Sequence, residues 1–430
     1  MKHAFPSEHS PGFLALAVCM CTCLILLINV SFKMISIQGL VFSANSLLCP
    51  VIAGFYLLTL RNCTFSEQRH VLNIALISLY LFCIGVYVLV NLPAAEYMQD
   101  NSVYQIIFED IPKKFFATTI AFALGFYLPH LLLSTPSYNV LGSPRHCVVL
   151  ALLGGLAFFL MDFFLLFSGG PHTHGFKHVF IDSSMIASLL LLLIGVSYLV
   201  FLLGEQQAKE GMAIEKKGLI SPLYYYLVCF AVAVMLICLA CEYRLVAFTK
   251  DIIVTGSSLF FPLTVIISTL IGERWGYKAN LQFTVVLIIA QCVFDGLLMG
   301  LVALPSPPFF NLNPFYNYIM PRRLPAASLA LFVTFISNAM LLHYLNQTKW
   351  SVHRALRIII ANTVANSLLC LVNYSLLFGG IFTYEQIVDL ALNAWQYKLL
   401  IVVLSLPLVL GICKVLEKNN DYVFEGASTQ

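Results

Sequence analysis

Charge is scarce in this sequence: Asp, Glu, Lys and Arg make up 10% of its 430 residues, whereas soluble domains carry about 25%. So few solvating groups cannot coat a globular surface, and a hydrophobic content of 60% is equally at odds with disorder. Twenty-three Lys and Arg against 20 Asp and Glu leave a net charge of +3, too little to draw in a polyanion. Nucleic acid is therefore not an expected partner. Familiar catalytic motifs are missing too. There is no G-x-x-x-x-G-K-[ST] phosphate loop, no H-E-x-x-H and no G-x-S-x-G, so neither ATP hydrolysis by that route nor the usual hydrolase chemistry is indicated. No catalytic residue, metal site or cofactor is expected.

What the chain does have is apolar runs. Its mean hydropathy is +0.90, and a helix needs about 20 apolar residues to cross a hydrocarbon layer of about 30 Å. Runs broken by charged or Pro/Gly-rich joints predict spans over 12–31, 40–60, 71–91, 115–134, 147–167 and 183–203. A second set covers 222–241, 252–271, 281–303, 325–345, 356–377 and 398–416. The expected fold is all-α, a polytopic membrane protein of about 12 helices, each satisfying its own backbone as lipid demands. The most polar stretch, Gly204–Gly218, reads as a solvated cytoplasmic linker between a first repeat over 1–203 and a second over 219–430. Fourteen Lys and Arg fall on the side holding this linker and both termini, nine on the other. Both termini are therefore expected in the cytoplasm.

Thirteen cysteines could suggest a disulfide framework. Most, such as Cys21, Cys229 and Cys370, lie inside apolar runs, where Cys behaves as a small hydrophobe. Cys238-x-x-Cys241 has redox or metal spacing, but no second pair completes a zinc site. His172, His174 and His178, with Asp182 nearby, resemble a metal cluster; the segment is short and Gly-rich and reads more simply as a solvated loop. The first apolar run has no small-residue cleavage site after it and is expected to remain as a helix.

The two halves look like copies. Ser46-Leu-Leu-Cys-Pro50 matches Ser258-Leu-Phe-Phe-Pro262, and Leu92-Pro93 matches Leu304-Pro305, each at an offset of 212. Pro112-Lys113-Lys114 matches Pro321-Arg322-Arg323 at 209. With an even number of spans in each, both halves enter the membrane the same way round, a parallel repeat of the kind secondary transporters use.

Phe261-Pro262-Leu263-Thr264, followed by Glu273-x-x-Gly276-Tyr277-Lys278, resembles the FPLT…D…E-x-YGYK signature of the VUT-type queuosine-precursor transporters. Pro321-Arg322, Asn338, Arg354, Asn366-Ser367, Phe378-Gly379, Lys398 and Pro407 follow in the family's order. In the first half Asn29-x-x-x-Lys33, Gly39, Pro50, Pro112-Lys113 and Lys177 fit the same template. The resemblance implies six-helix units that carry 7-deazaguanine bases through an inner membrane. Departures accompany it. The acidic position before the Glu is Thr269 here and Leu57 in the first half, where the Glu itself is Arg61. Each half keeps part of the template, which implies either one asymmetric site drawn from both or one half reduced to a structural role.

An ionisable group inside a span costs a few kcal/mol on insertion scales, which makes each a functional candidate. Asp162, Asp295 and Glu273 qualify, while Lys33, Lys177 and Lys398 lie near the other surface. A carboxylate accepts two adjacent donors at once, so Glu273 or Asp295 suits the N1–H and amino edge of a guanine-like base. The plainer reading makes Glu273 a helix-end charge paired with Arg274 or Lys278, and Asp295 a structural acceptor. Asn29 and Asn366 are amides in apolar surroundings, able to meet a base edge or a neighbouring helix.

These features predict a transporter importing queuosine precursors, such as 7-cyano-7-deazaguanine or a related queuine-type base. Asn29, Lys33, Glu273, Asp295, Arg322, Asn366 and Lys398 are the expected substrate contacts, and a purine-like solute and the lipid bilayer the expected partners. The sequence leaves self-association open. A vitamin-like or other nucleobase cargo, an intramembrane enzyme and a non-transporting scaffold are the competing readings. The enzyme would need a catalytic pair on facing helices, and only scattered carboxylates are visible.

Overall fold

The computed structural model describes residues 12–95, 110–133, 144–167, 176–208, 222–249, 252–307, 313–347 and 353–418. The first half runs α1 (Phe13–Val30), a hairpin of β1 (Met34–Ile37) and β2 (Leu40–Ser43), then α2 (Asn45–Asn62) and α3 (Phe65–Asn91). It continues with α4 (Ile111–Leu133), α5 (Pro144–Phe167) and α6 (Phe176–Ala208). The second half follows the same order: α7 (Pro222–Ala240), a hairpin of β3 (Leu245–Ala247) and β4 (Ile253–Thr255), and α8 (Gly256–Ala303). Then come α9 (Asn313–Gln347), α10 (Arg354–Phe378) and α11 (Tyr384–Lys418). The 48-residue α8 is broken at Gly276, whose φ of 82° and ψ of −175° divide it into arms over 256–275 and 277–303.

Among the described residues, ten helices are long and apolar enough to cross a membrane. The protein is a multi-pass membrane protein. The sequence count of twelve differs for two reasons. The two arms of α8 abut at Gly276 with no loop between them and so count once, although the break folds them back until Ser268 meets Asn280, and α2 is diluted by Asn45, Ser46, Thr59, Arg61 and Asn62. The spans expected over 40–60 and 252–271 also begin too early, because 40–43 and 253–255 are strands. Ile37 pairs with Leu40 across Gln38-Gly39, whose φ values of 50° and 89° give the positive-φ turn that suits a two-residue hairpin. At the other end of the first half, α6 runs on to Ala208, so the opening residues of the expected linker are helical.

The described residues divide into two compact units. Unit 1 draws on Met1–Cys83, Glu109–Lys217 and Gly300–Pro314; unit 2 on Ile84–Phe108, Gly218–Met299 and Phe315–Gln430. Each unit therefore contains the segment that closes a helix of the other half of the sequence, α8 in unit 1 and α3 in unit 2. In unit 1 the Ser36 amide donates to the Pro305 carbonyl at 2.9 Å. In unit 2 the Ala247 amide donates to the Pro93 carbonyl at 3.0 Å. There the Arg244 guanidinium also caps the end of α3, donating to the carbonyls of Leu89, Val90 and Leu92 at 2.7–2.9 Å. The last carbonyls of a helix lack a following turn to donate to them, the Leu92 amide reaching only Leu89 at 3.4 Å, and a cation at a helix C-terminus suits the macrodipole.

Each unit has a helix that is apolar on all sides and sheathed by its neighbours. The most apolar windows of α1 and α7 are 89% and 78% buried, those of α6 and α11 only 22%. On α6, Leu189, Leu192, Leu193, Val196 and Val200 form an exposed stripe at helical spacing, as Leu400, Leu404 and Leu408 do on α11. In water such stripes would drive aggregation; in a bilayer they face hydrocarbon. Within unit 2, Ile266, Leu270, Leu342, Ile358 and Val409 make an apolar cluster joining the first arm of α8 to α9, α10 and α11.

In unit 1, α4 and α5 approach so closely that a Cβ on Gly154 would lie 2.3 Å from the Gly125 carbonyl oxygen. Backbone cannot yield as a side chain can. Gly154→Ala should lower stability by about 1–3 kcal/mol, read as a drop in the thermal unfolding midpoint of detergent-purified protein. Gly411→Ala on α11, where nothing lies within 4 Å, is the control; equal midpoints for the two variants would refute the close approach.

Candidate functional site

Polar side chains inside unit 2 collect along one face of α10. Helical spacing aligns Asn362, Asn366, Cys370 and Asn373, and all four are buried. Near the N-terminal end, Asn362 Oδ1 accepts from Thr269 Oγ1 and Asn338 Nδ2, both at 2.7 Å. Ser268 Oγ bonds Asn280 Oδ1 at 2.9 Å and approaches Asn338 Oδ1 at 3.2 Å. Asn366 Nδ2 donates to the Asn362 carbonyl at 2.9 Å, leaving its own Oδ1 without a partner. In an apolar bundle such amides otherwise have no acceptor or donor to meet, so the network fixes the register of α8, α9 and α10.

Towards the C-terminal end of α10 lies an inner centre of charged groups. Asp295 on the second arm of α8 is fully buried and pairs with Arg323 of α9, while Gln291 Nε2 donates to its other oxygen at 2.8 Å. Glu242, two residues past α7, accepts from Asn373 Nδ2 at 2.9 Å through Oε1, and its Oε2 is buried without a partner. Lys398 of α11 is 2% exposed. Its ammonium lies 5.6 Å from the ring centroids of both Phe261 and Tyr374 and 3.5 Å from Cys370 Sγ. The Tyr374 hydroxyl is held in turn by Thr255 and Ser258 at 2.9 and 2.6 Å. Between Glu242, Lys398, Asn373 and Phe261 remains a cavity of about 30 Å³, room for little more than water. Burial pushes the Glu242 carboxyl up to about 7, against the Asn373 bond and the charges of Arg323 and Lys398, which lower it; Asp295 raises it further.

The opposite end of α10 borders a larger cavity of about 350 Å³. Glu273, from the first arm of α8, accepts there from Arg354 Nε at 2.9 Å and from Arg357 Nε and Nη2 at 2.9 and 2.6 Å. Arg357 Nη1 reaches Asn346 Oδ1 at 2.6 Å. Tyr277 and His343 stack with centroids 4.8 Å apart on its wall.

The sequence candidates thus separate. Asp295 and Lys398 meet in the inner centre, Asn366 lies on the stripe above it, and Glu273 belongs to the outer cavity, held by Arg354 and Arg357 rather than by Arg274 or Lys278. Arg322 donates to the Gly379 carbonyl just past α10 at 3.0 Å; consecutive residues point about 100° apart on a helix, so only Arg323 turns to Asp295. Asn29 and Lys33 belong to unit 1. Asn29 Oδ1 is buried and unpartnered, and Lys33, lowered to about 8 by burial, donates to Ser306 Oγ at 3.0 Å. Unit 1 also holds Asp162, whose oxygens accept from Asn45 and Thr118 at 2.6 and 2.8 Å. Asp182 accepts from the Val41 amide at 3.0 Å, tying β2 to α6; His172 and His174 lie outside the described residues. Cys238 donates to the Ser257 carbonyl at 3.4 Å, a packing contact.

Sequence reasoning missed Glu242, which lies just beyond an apolar run, in a turn. It also passed over Asn362 and Asn373, although their spacing from Asn366 marks one helix face.

Residues 255–412, from the end of β4 into α11, match the family model described as "Putative vitamin uptake transporter", the VUT-type family that these residues resemble. No curated protein and no solved structure matches the chain. The match covers α8 to α10 and most of α11, and so includes Asp295, Arg323, Lys398 and the polar face of α10.

The Asp295–Arg323 pair gives a direct test of the inner centre. Asp295→Asn removes the carboxylate that pairs with the buried Arg323 and should cost about 3–5 kcal/mol. Asp295→Leu combined with Arg323→Met should recover most of that loss, as measured by thermal unfolding in detergent. A double variant no more stable than Asp295→Asn alone would show that the pair is not the source.

Proposed function

We propose that this chain, whose residues 255–412 match the vitamin uptake transporter model, imports a planar solute of the 7-deazaguanine class, a queuosine precursor, and that Glu242 reads its donor edge. One observation carries the reading: Glu242 is the carboxylate of the inner centre with an oxygen to spare. Both oxygens of Asp295 are engaged by Arg323 and Gln291, and both of Glu273 by Arg354 and Arg357. A guanine-like base presents N1–H and an amino group side by side, and a carboxylate accepts both. Phe261 and Tyr374 supply aromatic faces beside it, with Lys398 over their rings. The 30 Å³ cavity is far below the size of a purine-like base, so the solute enters when the lining parts, as alternating access requires.

Arg357 and Asn373 lie sixteen positions apart on α10, about 24 Å along a helix and close to the thickness of a hydrocarbon layer. The stripe of Asn362, Asn366 and Cys370 joins the two ends. Arg274, Lys278, Arg354 and Arg357 lie at or beside the outer cavity; by the positive-inside rule we read that end of unit 2 as cytoplasmic, with Glu242 nearer the outside of an inner membrane. We read the shared order of elements as a duplication of six-helix units. In unit 1 the position of Asp295 is Cys83 at the offset of 212, that of Arg323 is Lys114 at 209, and Asp162 is already saturated. Asn29 and Lys33 then serve unit 1 as structure, while unit 2 carries the solute.

The test uses cells lacking both precursor synthesis and their own uptake, at low external precursor, with queuosine in tRNA as readout. The wild-type chain should restore it, and Glu242→Gln should cut uptake at least tenfold at equal membrane abundance. Uptake should also fall as pH drops below about 7, because protonation removes the acceptor; in Glu242→Gln the residual rate should be flat. Arg323, Lys398, Asp295, Cys238 and Tyr374 are the titratable groups surrounding Glu242. No rescue by a well-expressed wild-type chain points to another solute or a scaffold, and wild-type uptake by Glu242→Gln removes Glu242 from the role.

A further inference from the structure

We infer that the cavity at the start of α10 is a second site for the transported solute, filled on its way into the cytoplasm, where Asn280 receives a ring carbonyl and Tyr277 the flat face of the base. The inference rests on the reading of the chain as an importer of 7-deazaguanine-type bases. The cavity lies at the break in α8: Gly272 and Glu273 line it from the first arm, Tyr277 and Asn280 from the second. Positive φ at Gly276 turns the arms back on one another, so Ser268 and Asn280, twelve positions apart, meet at 2.9 Å. A straight helix would hold them about 18 Å apart. At about 350 Å³ the cavity falls within the range of small-molecule sites, about 300–1,000 Å³.

The charged side chains of its wall are taken, since Glu273 and its two arginines are engaged with one another. What stays open to a solute is an amide and an aromatic surface. Asn280 is fully buried; its Oδ1 is met by Ser268, and its Nδ2 has no acceptor. A Cβ on Gly272 would lie 2.9 Å from that Nδ2, so a side chain there would cover the amide. A buried donor left unpaired is costly unless a guest meets it. Tyr277 is half-buried and stacks on exposed His343 with the rings inclined by 23°, a near-parallel pair that a third planar ring can extend. A 7-deazaguanine brings what this pair of features accepts: a ring carbonyl and a flat bicyclic face.

The seam between α9 and α10 connects this cavity to the inner centre. Ser268 approaches Asn338, and Asn338 donates to Asn362 on the polar face of α10. Bonds from Asn346 to Arg357 and from Asn338 to Asn362 set the two helices antiparallel, so Thr334 and Asn366, each one turn further in, share a depth. Both are fully buried, and Thr334 Oγ1 and Asn366 Oδ1 have no partner. Unspent hydrogen-bonding atoms therefore stand at both ends of the seam and midway along it, at Glu242, at Thr334 and Asn366, and at Asn280. A polar solute leaving Glu242 finds a next contact at each stage.

The experiment measures equilibrium binding of radiolabelled 7-cyano-7-deazaguanine to the purified full-length chain in neutral detergent. Wild type should bind two molecules per chain and Glu242→Gln one. Asn280→Asp keeps the oxygen that Ser268 meets and turns a second oxygen toward the carbonyl of the ligand. In the Glu242→Gln background it should weaken the remaining site at least tenfold. Tyr277→Ala should weaken the same site at least fivefold, whereas Tyr277→Phe, which keeps the ring, should bind as its parent does. One molecule per chain, lost in Glu242→Gln, overturns the inference and leaves the solute reading intact. One molecule lost in Asn280→Asp but kept in Glu242→Gln upholds the inference and removes Glu242 from its role. Unchanged affinity in Asn280→Asp overturns the inference. So does a wild-type chain that binds nothing, and rescue of queuosine in tRNA then decides separately whether the solute reading stands.

Discussion

A carboxylate sealed inside an apolar bundle has to be met by a cation or by hydrogen-bond donors, and unit 2 answers that demand in three ways. Glu273 is gripped by two arginines, Asp295 by one arginine and a glutamine, and Glu242 by a single asparagine. The first borders a cavity of about 350 Å³. The second is closed on itself and holds α8 to α9. The third leaves an oxygen unspent. Function, on this view, follows from how completely each charge is compensated, since in a low-dielectric interior an unfilled valence is what a ligand can fill.

The helices make that arrangement possible by sorting themselves according to what surrounds them. α1 and α7 are apolar on every side and lie within their units, while α6 and α11 turn long leucine and valine stripes outward. A helix between these extremes can afford a polar face, and α10 has one from Arg357 to Asn373. That face can exist because α8, α9 and α11 supply a partner at nearly every turn: Glu273, Thr269 and Asn338, and then Lys398 against Cys370. The same sorting explains the cysteines. Twelve of the thirteen are wholly or partly buried.

Much of this was legible beforehand. Apolar run length announced the helices because lipid leaves no alternative for the backbone; most joints fell within a few residues of the observed ends, but α9 and α11 begin at Asn313 and Tyr384, well before the expected 325 and 398. The errors came where hydropathy is blind to geometry. Residues 40–43 and 253–255 are as apolar as the helices they precede, yet Gln38 and Gly39 turn the first pair of strands back on itself. Arg322 and Arg323 are neighbours with the same charge, and only the helical rotation separates the one that meets Asp295 from the one that caps α10. The plainer reading of Glu273 pairs it with its sequence neighbours Arg274 or Lys278, whereas Arg354 and Arg357 reach it from another helix some eighty positions away in the sequence.

By itself the sequence determined that the chain crosses a membrane many times, that it carries the VUT-type pattern, and that only a handful of charged groups lie within its apolar spans. These are properties of composition and order, and they hold whichever way the helices pack. Tertiary structure alone decided which of those charges are spent and which are free. That depends on partners brought together from distant helices: Asn373 beside Glu242, Arg323 beside Asp295, Arg354 and Arg357 around Glu273. No local pattern records such meetings, because the energy of a buried charge is set by its neighbours in space rather than in sequence.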